Sequence, residues 1–352
     1  MKVCVYEVHA FTKDGQGGNA AGVVIQEEDT KLTDSQMLEI AARMGFSETA
    51  FVSESDKADY KVKFFTPTDE VDLCGHATIA VFWLLNSLGK LNGRRDLVQE
   101  TKAGLLNIQV STDEILMAQA TPEFGPILEP EEIFWSLGLS EEAQAVGLPV
   151  QIVSTGLKDI LVPVASLKDL EELQPDFEDI RQISEAHGVT GYHCFTLNAP
   201  HADLGTGTGT GAGTGTGTSN GTSASTDQLH QPQVTAWCRN FAPLYGIDEE
   251  SATGTSSGAL AAYLSAYGAV QAVDMQFAQG MWMNRPSLIR TKVDWMDTAF
   301  EAREAGLESS GLVPEAPMEF EGENTPDSTG PSIQTVWVGG AAVIKGKLEL
   351  EI

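Results

Sequence analysis

The sequence predicts an α+β fold of two pseudo-symmetric lobes, each a barrel-like β-sheet wrapped around a central α-helix. Three observations lead there. Short strands rich in β-branched and aromatic residues recur along the chain, two helices stand out by their apolar character, and the second half repeats a pattern of the first. The length of 352 residues suits one large domain or two ordinary ones, and 42% apolar with 20% charged residues is the balance of a chain that buries a core.

Val3–Val8 (VCVYEV), Ala21–Ile25, Thr49–Val52, Tyr60–Phe65 and Leu105–Val110 are bounded by Gly, Asp or Pro and read as strands. Thr33–Met44 opens on a Thr-Asp cap signal and places Met37, Ile40, Ala41 and Met44 at helical spacing, which predicts an amphipathic helix lying on a sheet. Ala77–Leu88 (ATIAVFWLLNSL) is apolar on nearly every side, so this helix is expected to be buried inside a curved sheet.

Phe241–Tyr267 echoes Phe65–Leu85. Both run from F-x-P through acidic residues to a Gly and then into small residues that open an apolar helix. The second copy holds three more residues between its F-x-P and its Gly. A duplicated half-domain is the economical explanation.

Two stretches interrupt this plan. Gly205–Thr226 is almost wholly Gly, Thr, Ser and Ala, a composition that buries too little apolar surface to offset its ordering entropy, and it is expected to form a flexible surface loop. Met296–Pro331 carries nine acidic residues against Arg303 alone, with four prolines, and is expected to be an exposed acidic excursion apart from a short helix near Thr298–Gly306.

The 50 acidic against 21 basic residues give a formal charge of -29, which repels a phosphate backbone and an anionic lipid surface alike. Neither nucleic acid nor membrane is expected as a partner. Cys4, Cys74, Cys194 and Cys238 are too scattered for a disulfide framework or a metal knuckle, and read as structural thiols. The first residues lack the apolar core of a signal peptide, and no run is long enough to span a bilayer, so a cytoplasmic location is expected.

The two repeats suggest where chemistry sits. Gly75 and Gly254 each stand just ahead of an apolar helix, where unpaired backbone N–H groups and the positive end of the helix dipole make an anion site. If the halves face one another, two such termini hold a small carboxylated molecule in one cleft; the plainer alternative is that both glycines only punctuate a helix start. The titratable residues nearby are Glu48, His76 and the run Asp248, Glu249, Glu250. Glu48 lies among apolar and small residues in GFSETAFV, which predicts the partial burial that a general acid/base needs, with Ser47 or Thr49 to orient it; a solvated loop glutamate is the alternative. His76 in a first helical turn is expected to be a neutral ring, catalytic or merely structural. Glu250 stands at the second junction, where a dipole-stabilising cap is its simplest role. No second His or Cys lies at ligand spacing from His76, so no metal is expected, and no cofactor motif appears.

QGGNAAGVVI, GFSETAFV, FFTPTDEVDLCGHATIA, RNFAPLYGIDEESATGTSSGALAAYL, QFAQGMWMNRPSLI and VWVGGAAVIKG resemble, in order, the signatures of the phenazine biosynthesis PhzF-like family, which shares the two-half fold of diaminopimelate epimerase. The resemblance is interrupted by the two insertions and weaker between about 115 and 190. It implies an N-terminal lobe over 1–115 whose last strand returns from the C-terminus, a C-terminal lobe over 116–340 carrying the insertions 203–230 and 296–331, and a final strand over 341–352.

It further implies a cofactor-independent isomerase or epimerase that moves a proton on a small carboxylated substrate, with a homodimer as the expected assembly. The catalytic residues would be Glu48, His76 and Glu250, and the substrate-binding residues Asn19, Ser47, Gly75, Gly254 and Thr255. Glu250 and Ser251 stand where the commoner motif has Asp-Pro, and Thr255 where it has Ser. Related cysteine racemases use a thiol from each half, but Thr253 occupies the second place here, so a two-thiol mechanism is not expected and Cys74 reads as a small buried residue. A catalytically inactive binding or scaffold protein of the same fold is the rival.

Overall fold

A computed structural model describes residues 1–26, 31–197, 234–270, 272–296 and 332–352. The fold is α+β. The Gly/Thr-rich tract and, beyond Met296, the acidic stretch read from the sequence lie outside the described residues.

One series of strand pairings occurs twice. In the first half β1 (Lys2–Ala10) pairs antiparallel with β2 (Asn19–Ile25), and β2 runs parallel to β3 (Glu48–Ser53). β3 pairs antiparallel with β4 (Tyr60–Phe65), which takes the short β5 (Glu70–Val71) on one side and runs parallel to β6 (Asp96–Thr101). Antiparallel β7 (Gly104–Val110) and β8 (Ile115–Ala118) complete it. In the second half β10 (Gln151–Ser154), β11 (Lys158–Pro163), β12 (Tyr192–Thr196), β13 (Ala236–Ala242), β14 (Ile247–Glu250), β15 (Asp274–Gln279), β16 (Ser287–Trp295) and β17 (Ile333–Gly340) follow the same order and the same senses. β18 (Ala342–Glu351) returns to pair with β1, as β9 (Glu123–Ile127) pairs with β10.

Local sequence explains the helices between these strands. Thr33 and Gln36 form a reciprocal capping box at the start of α1 (Asp34–Met44), and Gly45 ends it in the left-handed conformation at φ 66°. α2 (Gly75–Ser87) is the crossover between parallel β4 and β6, and α6 (Gly254–Ala266) is its counterpart between β13 and β15. Both are apolar all round because both are enclosed: α2 packs on β1, β2, β3, β8 and β18, and α6 on β10, β11, β16 and β17. Their first turns share a detail, since Thr78 Oγ1 donates to Cys74 O and Ser257 Oγ to Thr253 O. The remaining helices, α3 (Pro130–Trp135), α4 (Leu167–Glu171) and α5 (Phe177–His187), cover a second apolar cluster on the outer face of β11 and β12. Among the described residues no helix is long and apolar enough to cross a membrane.

The halves join along a ladder between β8 and β17. There Gly339 is opposite Leu116, and a Cβ on it would lie 1.7 Å from Ile115 O. Phe11, buried just past β1, holds φ 61°, a strained value for a residue with a Cβ, while its carbonyl accepts from Leu288 N of the other half at 3.0 Å. Gly339→Ala is expected to push this ladder apart and lower stability by about 1–3 kcal/mol. A reduced midpoint in urea denaturation would report it, and an unchanged midpoint would show that the ladder yields without cost.

Candidate active site

The N-terminal ends of α2 and α6 bring residues from both halves together. β3 begins at Glu48, which pairs with Ala21 on β2, and β2 begins at Asn19. Asn19 is buried, and its Nδ2 donates across the junction to Glu250 Oε1 at 2.8 Å and more weakly to Ala252 O at 3.5 Å. The same nitrogen lies 3.4 Å from His76 Nδ1. An amide nitrogen only donates, so Nδ1 is the acceptor and this network assigns the ring proton to Nε2. Nε2 faces Glu48 Oε2 at 3.4 Å and Ser47 Oγ at 3.5 Å. Glu48 Oε2 is otherwise enclosed, buried without a hydrogen-bond partner.

Burial raises the Glu250 carboxyl above its ordinary range. The nearby Glu48 charge adds to the shift, while His76, Arg285 and the Asn19 bond oppose it. The other two acids of the run are placed differently: Asp248 is exposed, and Glu249 is held by Arg239 through two bonds of 2.9 and 2.8 Å. Glu250 ends β14 and does not cap α6, because Thr253 holds the N-cap position. In neither central helix does the N-cap side chain accept from the first turn, so the N–H groups at Gly75, His76, Gly254 and Thr255 have no side-chain cap.

Two sequence readings need correction. Ser47 points to His76, not to Glu48. Thr49 is fully buried with its hydroxyl unpartnered, and it fills the space beside Gly22, so it does not orient Glu48. Cys74 is buried as read, but its Sγ lies 3.4 Å from His76 Nδ1 and its thiol rests against Glu48. Burial, reinforced by the Glu48 charge, pushes this thiol well above its usual value, so it stays protonated. Among the described residues, Glu48, Cys74 and His76 are the group that could hold a metal ion, with donor atoms all within 4.8 Å of one another. Spacing along the chain could not reveal the trio because Glu48 comes from another strand. The thiol would have to lose its proton to serve as a ligand.

Two further groups fix the second junction, and neither was read from the sequence. Gln279 is fully buried; its Nε2 donates to Glu250 O at 2.8 Å and Thr253 Oγ1 at 3.0 Å, and its Oε1 accepts from Thr253 N at 3.2 Å. Asp159 on β11 accepts from Ser256 Oγ, in the first turn of α6, at 2.6 Å. Asn240 Nδ2 links that hydroxyl to His193 Nδ1, each at 3.3 Å. Burial lowers His193 to about 3, so the ring is neutral.

A cavity of about 610 Å³ opens between the halves beside this cluster, large enough for a metabolite. Of the sequence-predicted residues, Asn19, Ser47 and Glu250 line it; Glu48, His76, Gly75, Gly254 and Thr255 do not. Glu7, His9 and Arg285 line it as well.

The chain matches the family model described as phenazine biosynthesis-like protein over residues 8–202 and 218–307. It is 30% identical over 295 residues to the uncharacterized isomerase YfhB of Bacillus subtilis, covering 82% of this chain and 90% of that one. It is 33% identical over 271 residues to the uncharacterized isomerase YddE of Escherichia coli, covering 75% and 80%. The crystal structure of the Bacillus anthracis phenazine biosynthesis protein of the PhzF family superposes with a TM-score of 0.74 at 26% identity, covering the whole of both chains. In fold alone the chain is also similar to a hydroxyproline epimerase from Agrobacterium vitis, with a TM-score of 0.52 at 12% identity over 99% of this chain and 92% of that one. The chain belongs to the phenazine biosynthesis-like family.

Asp159 makes the junction sensitive to pH through stability. Burial raises its carboxyl to about 7, against smaller downward pulls from Ser256 and the Gly191 backbone. The folded chain therefore keeps a proton that the unfolded chain has released, and stability falls as pH rises from about 4 to that value and is level above it. Asp159→Asn removes the titration. The stability of the variant relative to the parent is expected to be greater at pH 8 than at pH 5 by on the order of a few kcal/mol, read from denaturant midpoints. An equal difference at both pH values would contradict the assignment.

Proposed function

We propose that the chain is an isomerase that moves a proton on a small carboxylated substrate by acid/base catalysis without a cofactor, in a cleft between two lobes. The lobes correspond to 1–115 closed by 341–352, and to 116–340. The observation that carries this reading is that two carboxylates, one from each half, are joined by contacts through a histidine and an amide, Glu48 to His76 to Asn19 to Glu250, and that Asn19 and Glu250 line the cavity. The names of the curated relatives support the isomerase class.

In this reading Glu48 takes the proton from carbon next to an electron-withdrawing group. His76, whose Nε2 lies 3.4 Å from Glu48 Oε2, positions that carboxylate. Glu250, whose burial favours the protonated form, returns a proton at a second carbon. Backbone N–H groups at the starts of α2 and α6 stabilise the developing enolate; one such preorganised donor is worth roughly 3–4 kcal/mol in other enzymes. Substrate entry is expected to draw the cavity wall inward so that these groups meet it.

Glu48→Gln keeps the shape of the side chain and removes the base. Solvent deuterium incorporation into a panel of amino and hydroxy acids is expected to fall by roughly 100-fold to 10,000-fold, with folding and ligand binding retained. Near-normal exchange in that variant would sink the mechanism. No exchange by the parent with any compound would favour the binding or scaffold reading.

A further inference from the structure

We infer that Arg285 receives the carboxylate of the substrate, a role that the sequence reading assigned to the helix termini. The inference rests on the reading of the cleft as a proton-transfer site. Arg285 is the one lysine or arginine among the residues lining the cavity, whereas Gly75, Gly254 and Thr255 do not line it. The anionic groups of the wall are mostly engaged: Glu7 by His9 at 2.7 Å, Glu249 by Arg239 and Glu250 by Asn19. Arg285 is exposed and, among the described residues, makes no salt bridge. In a chain with a formal charge of -29, an anion is held only where a local cation offsets the field, and a guanidinium offers a carboxylate two parallel N–H donors.

The side chain stands on a rigid base. Arg285 N donates to Gly280 O at 3.1 Å, across a turn in which Gly280 has φ 74° and Asn284 φ 54°. Pro286 follows and restricts the Arg285 backbone. The Pro286 carbonyl accepts from Gly18 N of the other half at 3.2 Å, and a Cβ on Gly17 would lie 2.0 Å from it. The turn is thus clamped against the β1–β2 loop, and the second half contributes this cation to a cavity that Glu7, His9 and Asn19 of the first half also line. Arg285 and Glu250 line the same cavity, and the Arg285 charge acts on Glu250.

The test measures binding and exchange separately. Amino and hydroxy acids and benzoate, each beside its methyl ester, are titrated calorimetrically into the parent, Arg285→Gln, Arg285→Lys and Glu48→Gln. The parent is expected to bind at least one acid about tenfold or more tightly than its ester. Arg285→Gln should abolish that preference without weakening ester binding, Arg285→Lys should restore part of it, and Glu48→Gln should keep it. An acid preference that survives in Arg285→Gln, or its absence from the parent, overturns the inference. Acid binding through Arg285 with no proton exchange would refute the functional reading and leave the inference standing. Exchange by Arg285→Gln at an unchanged KM would do the reverse.

Discussion

Asn19 is a buried amide whose nitrogen must find acceptors, and it finds them in both halves of the chain: Glu250 and the Ala252 carbonyl on one side, His76 on the other. Leaving such a group unpaired would cost about 1–3 kcal/mol, so the two junctions are held in register by the need to satisfy it. The tautomer of His76 and the position of the Glu250 carboxylate both follow from this one side chain. The β8–β17 ladder sets the halves at a distance that allows it.

The repeated frame carries different chemistry in its two copies. Aligning Phe65 with Phe241 through the β3–β4 and β12–β13 registers sets Glu48 opposite Gly191. No side chain fits there, since a Cβ on Gly191 would lie 1.9 Å from Phe241 O. The second half instead carries a carboxyl one strand over, at Asp159, sealed from solvent and bonded to the first turn of α6. One copy thus sets its acid beside His76 at the junction of the halves, and the other uses its acid to hold a helix. Cys74 and Thr253 differ in the same sense at the two N-cap positions.

Much of the fold was legible because its signals are local. The Thr33 cap, the period of α1, the all-apolar α2 and the F-x-P echo before α6 can each be read within a short window. Between 115 and 190 the reading weakened for a physical reason. β8, β10 and nearly all of β11 are buried on both faces, so their side chains show no alternation to mark a strand. Glu48, His76 and Glu250 were legible through motifs. Arg285, Gln279 and Asp159 were not, because their roles depend on pairings between distant segments: β15 beside β13, β11 beneath α6, and a turn clamped on the β1–β2 loop. Cys74 was visible as a residue but not as a neighbour of Glu48, which only the fold brings to it.

The central claim is that Glu48 and Glu250 act as one unit through His76 and Asn19, and a double-mutant cycle tests it most directly. Deuterium exchange would be measured for the parent, Glu48→Gln, Glu250→Gln and the double variant with one responsive substrate. Groups that act together lose nearly everything with the first substitution, so the double variant is predicted to be no more than a few-fold slower than the worse single variant. Losses that multiply would show two independent contributions and contradict the account.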